Sequence, residues 1–321
     1  MVNIQKCAVI GVGFVGATSA FTLANSGLFS ELVLIDYNRK RAEGEAADIN
    51  HGISFARPCL VRAGDYGDLH DCGLVIIAAG ANQKPGETRI ALLGRNHDIM
   101  QSIVSQVCAV NQECILLILS NPVDILTYMA RKMATLPPGH VIGSGTVLDT
   151  SRLKYLLGQY LGVDSRNVHA FIIGEHGDSE LAVWSSANVS GVDLSGYCQA
   201  TGKEYSVEAM HRIYQNVRDA AYSIIEGKGA TYYAIGMTVR RIAEAIVRDE
   251  HSVLPVSSLV TGHYGVSEVC LGLPAVLGRN GVEAVLDLPL NQEEEEQLVS
   301  SAQKLRALLD ELGSFDDTCA H

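Results

Sequence analysis

Short apolar runs at 7–10, 32–35, 74–79, 115–119 and 141–142 alternate with segments such as 15–25 and 95–110, whose apolar residues recur at helical spacing. Uninterrupted apolar runs predict strands covered on both faces, and the helical stretches between them predict crossovers joining such strands in parallel. The first half therefore reads as a doubly wound parallel α/β sheet. The second half is less regular. Its pattern predicts helices over 151–161, 206–225 and 232–248, strands over 169–173, 253–259 and 269–275, and a short ambiguous stretch at 281–286. That mixture predicts an α+β domain, with the division falling between 1–143 and 144–321. A last helix is signalled by Asn291 as N-cap, Glu294 three residues on, and Leu298, Leu305, Leu308, Leu309 and Leu312 at helical spacing. The acidic run 293–296 needs no ligand, because negative charge at a helix N-terminus is stabilising in itself. No internal repeat or low-complexity linker interrupts the chain.

Composition narrows the class. A chain of 321 residues, 47% hydrophobic and 19% charged, has enough apolar material for two packed domains. Its formal charge is -12, from 36 acidic against 24 basic residues, with no stripe of Lys and Arg to track phosphates. Nucleic acid and anionic membrane are thereby disfavoured as partners. Any small anion must be met by a few well-placed arginines. The eight cysteines form no C-x-x-C pair, zinc spacing or disulfide framework. Reduced, buried thiols in the cytoplasm are expected, Cys319 being exposed near the terminus, and no metal site is expected. The first strand begins within a few residues of Met1, so no signal peptide is expected, and no apolar stretch reaches the roughly 20 residues that span a bilayer.

Gly11-Val12-Gly13-Phe14-Val15-Gly16 follows the first strand and opens the first helix. Glycines at this spacing permit a tight turn and close backbone approach, and the helix N-terminus offers unpaired N–H groups to a pyrophosphate. By itself such a run is also an ordinary turn. Asp36, 20 residues after Gly16 and at the end of the second strand, sharpens the reading. A carboxylate there accepts ribose hydroxyls and repels a 2′-phosphate, which favours NAD over NADP.

Four further segments lie at or just beyond the C-terminal ends of predicted strands: residues 80–89, 120–124, 148–152 and 174–178. They supply His176, Asp149, Arg152 and Arg89, the set that hydride transfer to or from a 2-hydroxy acid requires. His176 is suited to exchange the hydroxyl proton, with Asp149 orienting the ring and stabilising its charged form. Arg152 suits a substrate carboxylate through its planar fork. Arg89, in a stretch containing Pro85 and Gly86, suits a lid that closes and polarises a carbonyl. Taken singly, each has a plainer reading: a loop histidine, a solvated arginine, an aspartate capping a helix.

Order, spacing and motifs together resemble the L-lactate/malate dehydrogenase superfamily, most closely the bacterial L-lactate dehydrogenases, over essentially the whole chain. The Gly174-Glu175-His176-Gly177-Asp178 segment and Asp149-Thr150-Ser151-Arg152 carry most of the likeness. The resemblance implies a Rossmann NAD-binding domain followed by a catalytic domain. It implies a reversible L-lactate/pyruvate reaction of glycolysis and fermentation, with His176, Asp149, Arg152 and Arg89 in the roles given above. It also places Gly11, Gly13, Val15, Gly16, Asp36, Arg41, Tyr66, Gly80 and Ala81 near the cofactor, Asn121 near both nicotinamide and substrate, and Asp124 on the substrate side. Gln83 stands where malate-specific relatives carry an Arg for a second carboxylate, and Thr231 stands at the same end of the pocket, so lactate is favoured over malate. His169 and Lys154 match a fructose 1,6-bisphosphate site, Lys154 replacing the usual Arg and so losing its bidentate fork. A homotetramer is expected, with a dimer as the alternative, assembled without the long N-terminal arm of the animal enzymes. The competing readings are a malate or broad 2-oxoacid dehydrogenase, and an NAD-sensing protein without catalysis.

Overall fold

The computed structural model describes residues 2–81 and 89–312, with 89 and 90 given by backbone alone. Six parallel strands form the first half: β1 (Asn3–Ile10), β2 (Glu31–Ile35), β3 (Leu60–Ala63), β4 (Cys72–Ile77), β5 (Ile115–Ile118) and β6 (Val141–Gly143). They are linked through α1 (Phe14–Ser26), α2 (Arg39–Gly52), α3 (Arg89–Val110) and α4 (Val123–Met133). Spatial order runs β3-β2-β1-β4-β5-β6, so the winding reverses between β1 and β4 and opens a crevice at the strands' C-terminal ends. Alternate residues of each strand serve opposite faces. Ala8, Ile10, Val75, Ile77, Leu116 and Ile118 enter one core, while Cys7, Val9, Leu74, Ile76, Ile115 and Leu117 enter the other.

The second half begins with α5 (Val147–Leu161) and a set of two-residue strands: β7 (Val168–His169), β8 (Ile172–Ile173), β9 (Leu181–Ala182), β10 (Asn188–Val189) and β11 (Val192–Asp193). Then come α6 (Leu194–Thr201), α7 (Val207–Lys228), α8 (Tyr233–Val247), β12 (Ser252–Leu254), β13 (Ser257–His263), β14 (Val266–Gly272), β15 (Ala275–Gly278), β16 (Gly281–Val285) and α9 (Gln292–Glu311). A third core, with Leu153, Leu157, Val168, Ile172, Met210 and Val217, joins α5 to α7. The remaining elements return to the first sheet. β13 pairs antiparallel with β6 and β14 with β13, extending the sheet to eight strands. α8 contributes Val239, Ile242 and Ile246 to one face, and α9 contributes Leu298, Leu305 and Leu309 to the other.

The departures from expectation have local causes. β3 escaped the pattern because it is a four-residue edge strand with Leu60 exposed and only Val61 fully buried. The strand expected over 169–173 breaks into β7 and β8, which pair with β10 and β9 in separate sheets. The runs 253–259 and 269–275 break at Pro255 and Pro274, which have no N–H for a ladder, and each gives strands of two different sheets. The stretch 281–286 is a strand, and the last helix starts at the expected cap, with Asn291 and Glu294 forming a reciprocal capping box. The seven described cysteines are buried and free, while Cys319 lies outside the described residues. No helix among the described residues is long and apolar enough to cross a membrane.

Candidate active site

β1 ends in a turn that only glycine tolerates. Gly11 has φ +88°, and a Cβ there would meet the Ala79 backbone nitrogen at 2.5 Å; a Cβ at Gly16 would meet the Gly11 carbonyl oxygen at 1.8 Å. These two close the turn against β4 and α1. Gly13 differs, since no atom of the described residues lies within 4 Å of where its Cβ would be, and as N-cap of α1 it makes no side-chain capping bond. An uncapped helix N-terminus with open space before it is a cradle for a phosphate group, and so fits a dinucleotide. Asp36, at the end of β2, is tied to this turn: Oδ2 accepts from the Val12 N–H (2.9 Å) and Oδ1 from the Asn38 N–H (2.9 Å). Both bonds use backbone donors, so the carboxylate is positioned before any ribose arrives.

Along the same edge, Val15 is half-buried in the first turn of α1 and Arg41 is exposed in the first turn of α2. Tyr66 is half-buried against the core, its hydroxyl pKa raised by burial. Gly80 and Ala81 leave β4, and Asn121 follows β5. The sequence reading missed what braces them. Buried Asn96 on α3 accepts the Ala81 N–H at 2.7 Å and donates to the Asn121 carbonyl at 3.4 Å, while the Ser120 hydroxyl donates to the Ala79 carbonyl at 2.6 Å.

The first two turns of α5 place Asp149 and Arg152 three residues apart, hence on one face. Beyond β8, Gly174 (φ +90°) bridges to Gly272 of β14 and turns the chain so that His176 points back at α5. His176 Nδ1 donates to Asp149 Oδ2 at 2.6 Å, and Arg152 Nη1 donates to Asp149 Oδ1 at 2.8 Å. A carboxylate only accepts, so the Nδ1 proton is fixed and Nε2 is the nitrogen left for exchange with a ligand. Asp149 is 2% exposed. Burial disfavours the charged ring, but the charge and hydrogen bond of Asp149, helped by Asp124 and Glu180, overcome it and push His176 up to about 9. For Asp149 burial again opposes ionisation, and His176 and Arg152 hold its carboxyl below the usual range.

Asp124 is the residue expected on the substrate side. It is buried under His176, with Oδ2 accepting the His176 N–H (2.7 Å) and Oδ1 the Ser257 hydroxyl (2.6 Å). Burial pushes it up to about 6, against the pull of those two bonds. Both oxygens thus hold donors, one of them on the loop that carries His176. Thr231 is half-buried between α7 and α8 and makes no hydrogen bond to the His176–Asp149–Arg152 group. Lys154 is half-buried on α5, its pKa lowered by burial, and His169 is exposed on β7. Gln83 and the side chain of Arg89 lie outside the described residues. Glu180, absent from the sequence reading, is buried beside Asp149 and His176. Nothing in its spacing marked it, for it reads as the polar residue before an apolar strand.

An open glycine cradle at the reversal of a parallel sheet, joined to an imidazole that a buried carboxylate keeps charged, defines a nicotinamide-dependent dehydrogenase of carbinols. Relatives agree. Residues 5–143 match the lactate/malate dehydrogenase NAD binding domain, and residues 146–316 match the lactate/malate dehydrogenase alpha/beta C-terminal domain. L-lactate dehydrogenase 1 of Clostridium acetobutylicum is 50% identical over 96% of this chain and 98% of its own, and the L-lactate dehydrogenase of Acetivibrio thermocellus 52% identical over 95% and 96%. The crystal structure of a lactate dehydrogenase from a Medee basin deep-sea metagenome library superposes with a TM-score of 0.94 at 49% identity, covering 97% of this chain and 99% of that one. The chain belongs to the lactate/malate dehydrogenase family.

Proposed function

We infer that the chain is an NAD-dependent L-lactate dehydrogenase in which His176 is the acid/base. The observation that carries this assignment of roles is the buried Asp149, one oxygen holding His176 Nδ1 at 2.6 Å and the other Arg152 at 2.8 Å. NAD, when bound, supplies the hydride acceptor. Residues 11–16 hold its pyrophosphate and Asp36 its ribose, with Val15, Arg41, Tyr66, Gly80, Ala81 and Asn121 around it. Residues 1–143 are thus the cofactor domain and 144–321 the catalytic domain.

Toward pyruvate, imidazolium His176 donates its Nε2 proton to the keto oxygen, while Arg152 binds the carboxylate and sets which face of C2 is presented. Toward L-lactate, neutral His176 withdraws the hydroxyl proton, and Asp149 stabilises the imidazolium that results. Arg89 is the group proposed to polarise the carbonyl. A neutral amide at Gln83, with Thr231 at the same end, leaves a second carboxylate without a partner, so pyruvate is preferred to oxaloacetate. Lys154 and His169 are proposed to take the phosphates of fructose 1,6-bisphosphate, Lys154 as a point charge. A homotetramer is the proposed assembly, and exposed Phe14, Phe21, Tyr233 and Met237 on α1 and α8 support contact with another copy. The cytoplasm is the proposed place of action, supported by the buried free cysteines.

The test is NADH oxidation with a panel of 2-oxoacids, each with and without fructose 1,6-bisphosphate. Preference for pyruvate is expected. Preference for oxaloacetate would overturn the substrate assignment, absence of any turnover would leave an NAD-binding protein without catalysis, and unchanged affinity and oligomer distribution with the bisphosphate would remove the effector site.

A further inference from the structure

Glu180 immediately precedes β9, at the end of the reversal that carries His176, and is 6% exposed. The backbone fixes its place: its N–H donates to the Gly177 carbonyl at 3.2 Å, and the Tyr214 hydroxyl donates to its own carbonyl. The carboxyl is treated differently. Its Oε1 is buried and has no hydrogen-bond partner among the described residues. Ligand atoms of Glu180, Asp149 and His176 all lie within 4.8 Å of one another. A buried acid kept for stability has its oxygens paired, because an unpaired one costs the desolvation of a polar group with no return. A buried acid with an unpaired oxygen, within 4.8 Å of an imidazole nitrogen, acts on that ring through its charge.

The charged and titratable groups around it come from every element packed there. α5 supplies Asp149 and Arg152, and its own loop supplies His176 and Asp178. α7 supplies Tyr214 and Arg218, whose Nη2 is occupied by the Asp178 carbonyl at 3.0 Å. Across a cleft of about 410 Å³, α9 supplies Glu293, Glu296 and Lys304. Burial, then the charge of Asp149, pushes Glu180 up to about 8, while His176, Arg152 and Arg218 pull the other way. Glu180 therefore acquires its charge in the alkaline range, where His176, pushed up to about 9, would otherwise lose its own.

We propose that Glu180 is a positioning residue of the proton-transfer group, whose negative charge beside His176 and Asp149 keeps His176 imidazolium, and so pyruvate binding, at alkaline pH. This rests on His176 being the acid/base. No proton passes through Glu180 in the reaction; its charge sets only how readily Nε2 gives one up.

Glu180→Gln keeps the shape and removes the charge. The alkaline limb of kcat/KM for pyruvate is then expected to move down by about one pH unit, the size of a partly screened charge interaction at this separation. The limb for L-lactate oxidation is expected to move down by the same amount, because a less basic imidazole is ready to accept a proton at lower pH. Pyruvate reduction thus falls up to about tenfold near pH 9 while lactate oxidation rises near neutrality, and Glu180→Asp restores the wild-type limbs. Binding of oxamate, in which an amide nitrogen replaces pyruvate's methyl group, weakens on the same pH scale. Unmoved limbs, or a loss equal in both directions at every pH, would assign Glu180 to packing and overturn the proposal. If His176→Ala retained the wild-type limbs, the assignment of His176 would fail first, and the role of Glu180 with it.

Discussion

Asp149→Asn preserves the volume beside His176 and removes the charge. Asp149, with smaller help from Asp124 and Glu180, lifts the ring from its ordinary 6.5 to about 9, against a burial penalty that acts downward. That difference corresponds to about 3 kcal/mol of preference for imidazolium. At pH 8 the wild-type ring is about 90% protonated, whereas a ring at its ordinary value is about 3% protonated. In the variant Asp124 and Glu180 still oppose burial, so the ring returns toward its ordinary value and the loss of proton donor expected at pH 8 is roughly thirtyfold. By pH 6 both rings are mostly protonated and this part of the deficit fades to less than about twofold. What persists there is misorientation, because a carboxamide nitrogen no longer accepts from Nδ1. The assay is kcat/KM for pyruvate from pH 6 to 9. A deficit of the same size at both ends would refute the claim that Asp149 acts by stabilising the charged ring. Stability gives an independent reading. A histidine raised by its partner adds stability that is fully present below pH 6.5 and is lost as pH rises through about 9. The melting-temperature gap between wild-type apoprotein and Asp149→Asn should therefore narrow across that window.

Gly16→Ala places a Cβ 1.8 Å from the Gly11 carbonyl oxygen and should cost about 3 kcal/mol while weakening NADH binding at least tenfold; wild-type melting and NADH fluorescence titration would show that the turn yields. Gln83→Arg should raise the oxaloacetate-to-pyruvate ratio of kcat/KM by tenfold or more, since a charge partner is being supplied; an unchanged ratio would remove Gln83 from substrate choice. Glu294→Ala removes the acceptor for the Ser185 N–H (2.9 Å) and hydroxyl (2.5 Å) and opens the α9 capping box. About 2–3 kcal/mol of unfolding free energy should be lost in a denaturant titration, with kcat little changed.

What the sequence disclosed of the site is what is local. The Gly11–Gly16 turn, Asp36 at a strand end, and Asp149 with Arg152 one helical turn apart each stand at a spacing or a strand end that the sequence itself displays, so the pattern alone places them. The sequence did not disclose what depends on a distant partner. The resemblance puts Asp124 on the substrate side, but its bonds to His176 and Ser257, 52 and 133 residues away, leave no trace in the sequence. Asn96 and Glu180 were passed over for the same reason: each is an ordinary polar residue until the fold buries it. Strand boundaries failed at Pro255 and Pro274, where an apolar run continues but the hydrogen-bond ladder cannot. The return of α8, α9, β13 and β14 to the first sheet is a tertiary choice, and no periodicity within those segments encodes the face on which they settle.

That return decides where chemistry is possible. Hydride transfer requires the proton donor and the nicotinamide crevice to keep a fixed relation within a fraction of an ångström, although they belong to different halves of the chain. A flexible joint would defeat this. Here β13 pairs with β6, which brings Ser257 against α4, and Asp124 on α4 bonds both Ser257 and the His176 backbone. The Gly174–Gly272 bridge fastens the other end of the His176 turn to β14, and a Cβ at Gly272 would strike Thr146 Oγ1 at 2.5 Å. The histidine loop is therefore bolted to the same extended sheet whose strand ends hold the cofactor cradle. A buried carboxylate with two donors is costly in itself, and burial raising Asp124 to about 6 records that cost. Its place at this junction follows from geometry: an acceptor-rich side chain of the first half holds two donors of the second, a backbone N–H and a hydroxyl, without a mobile linker between them.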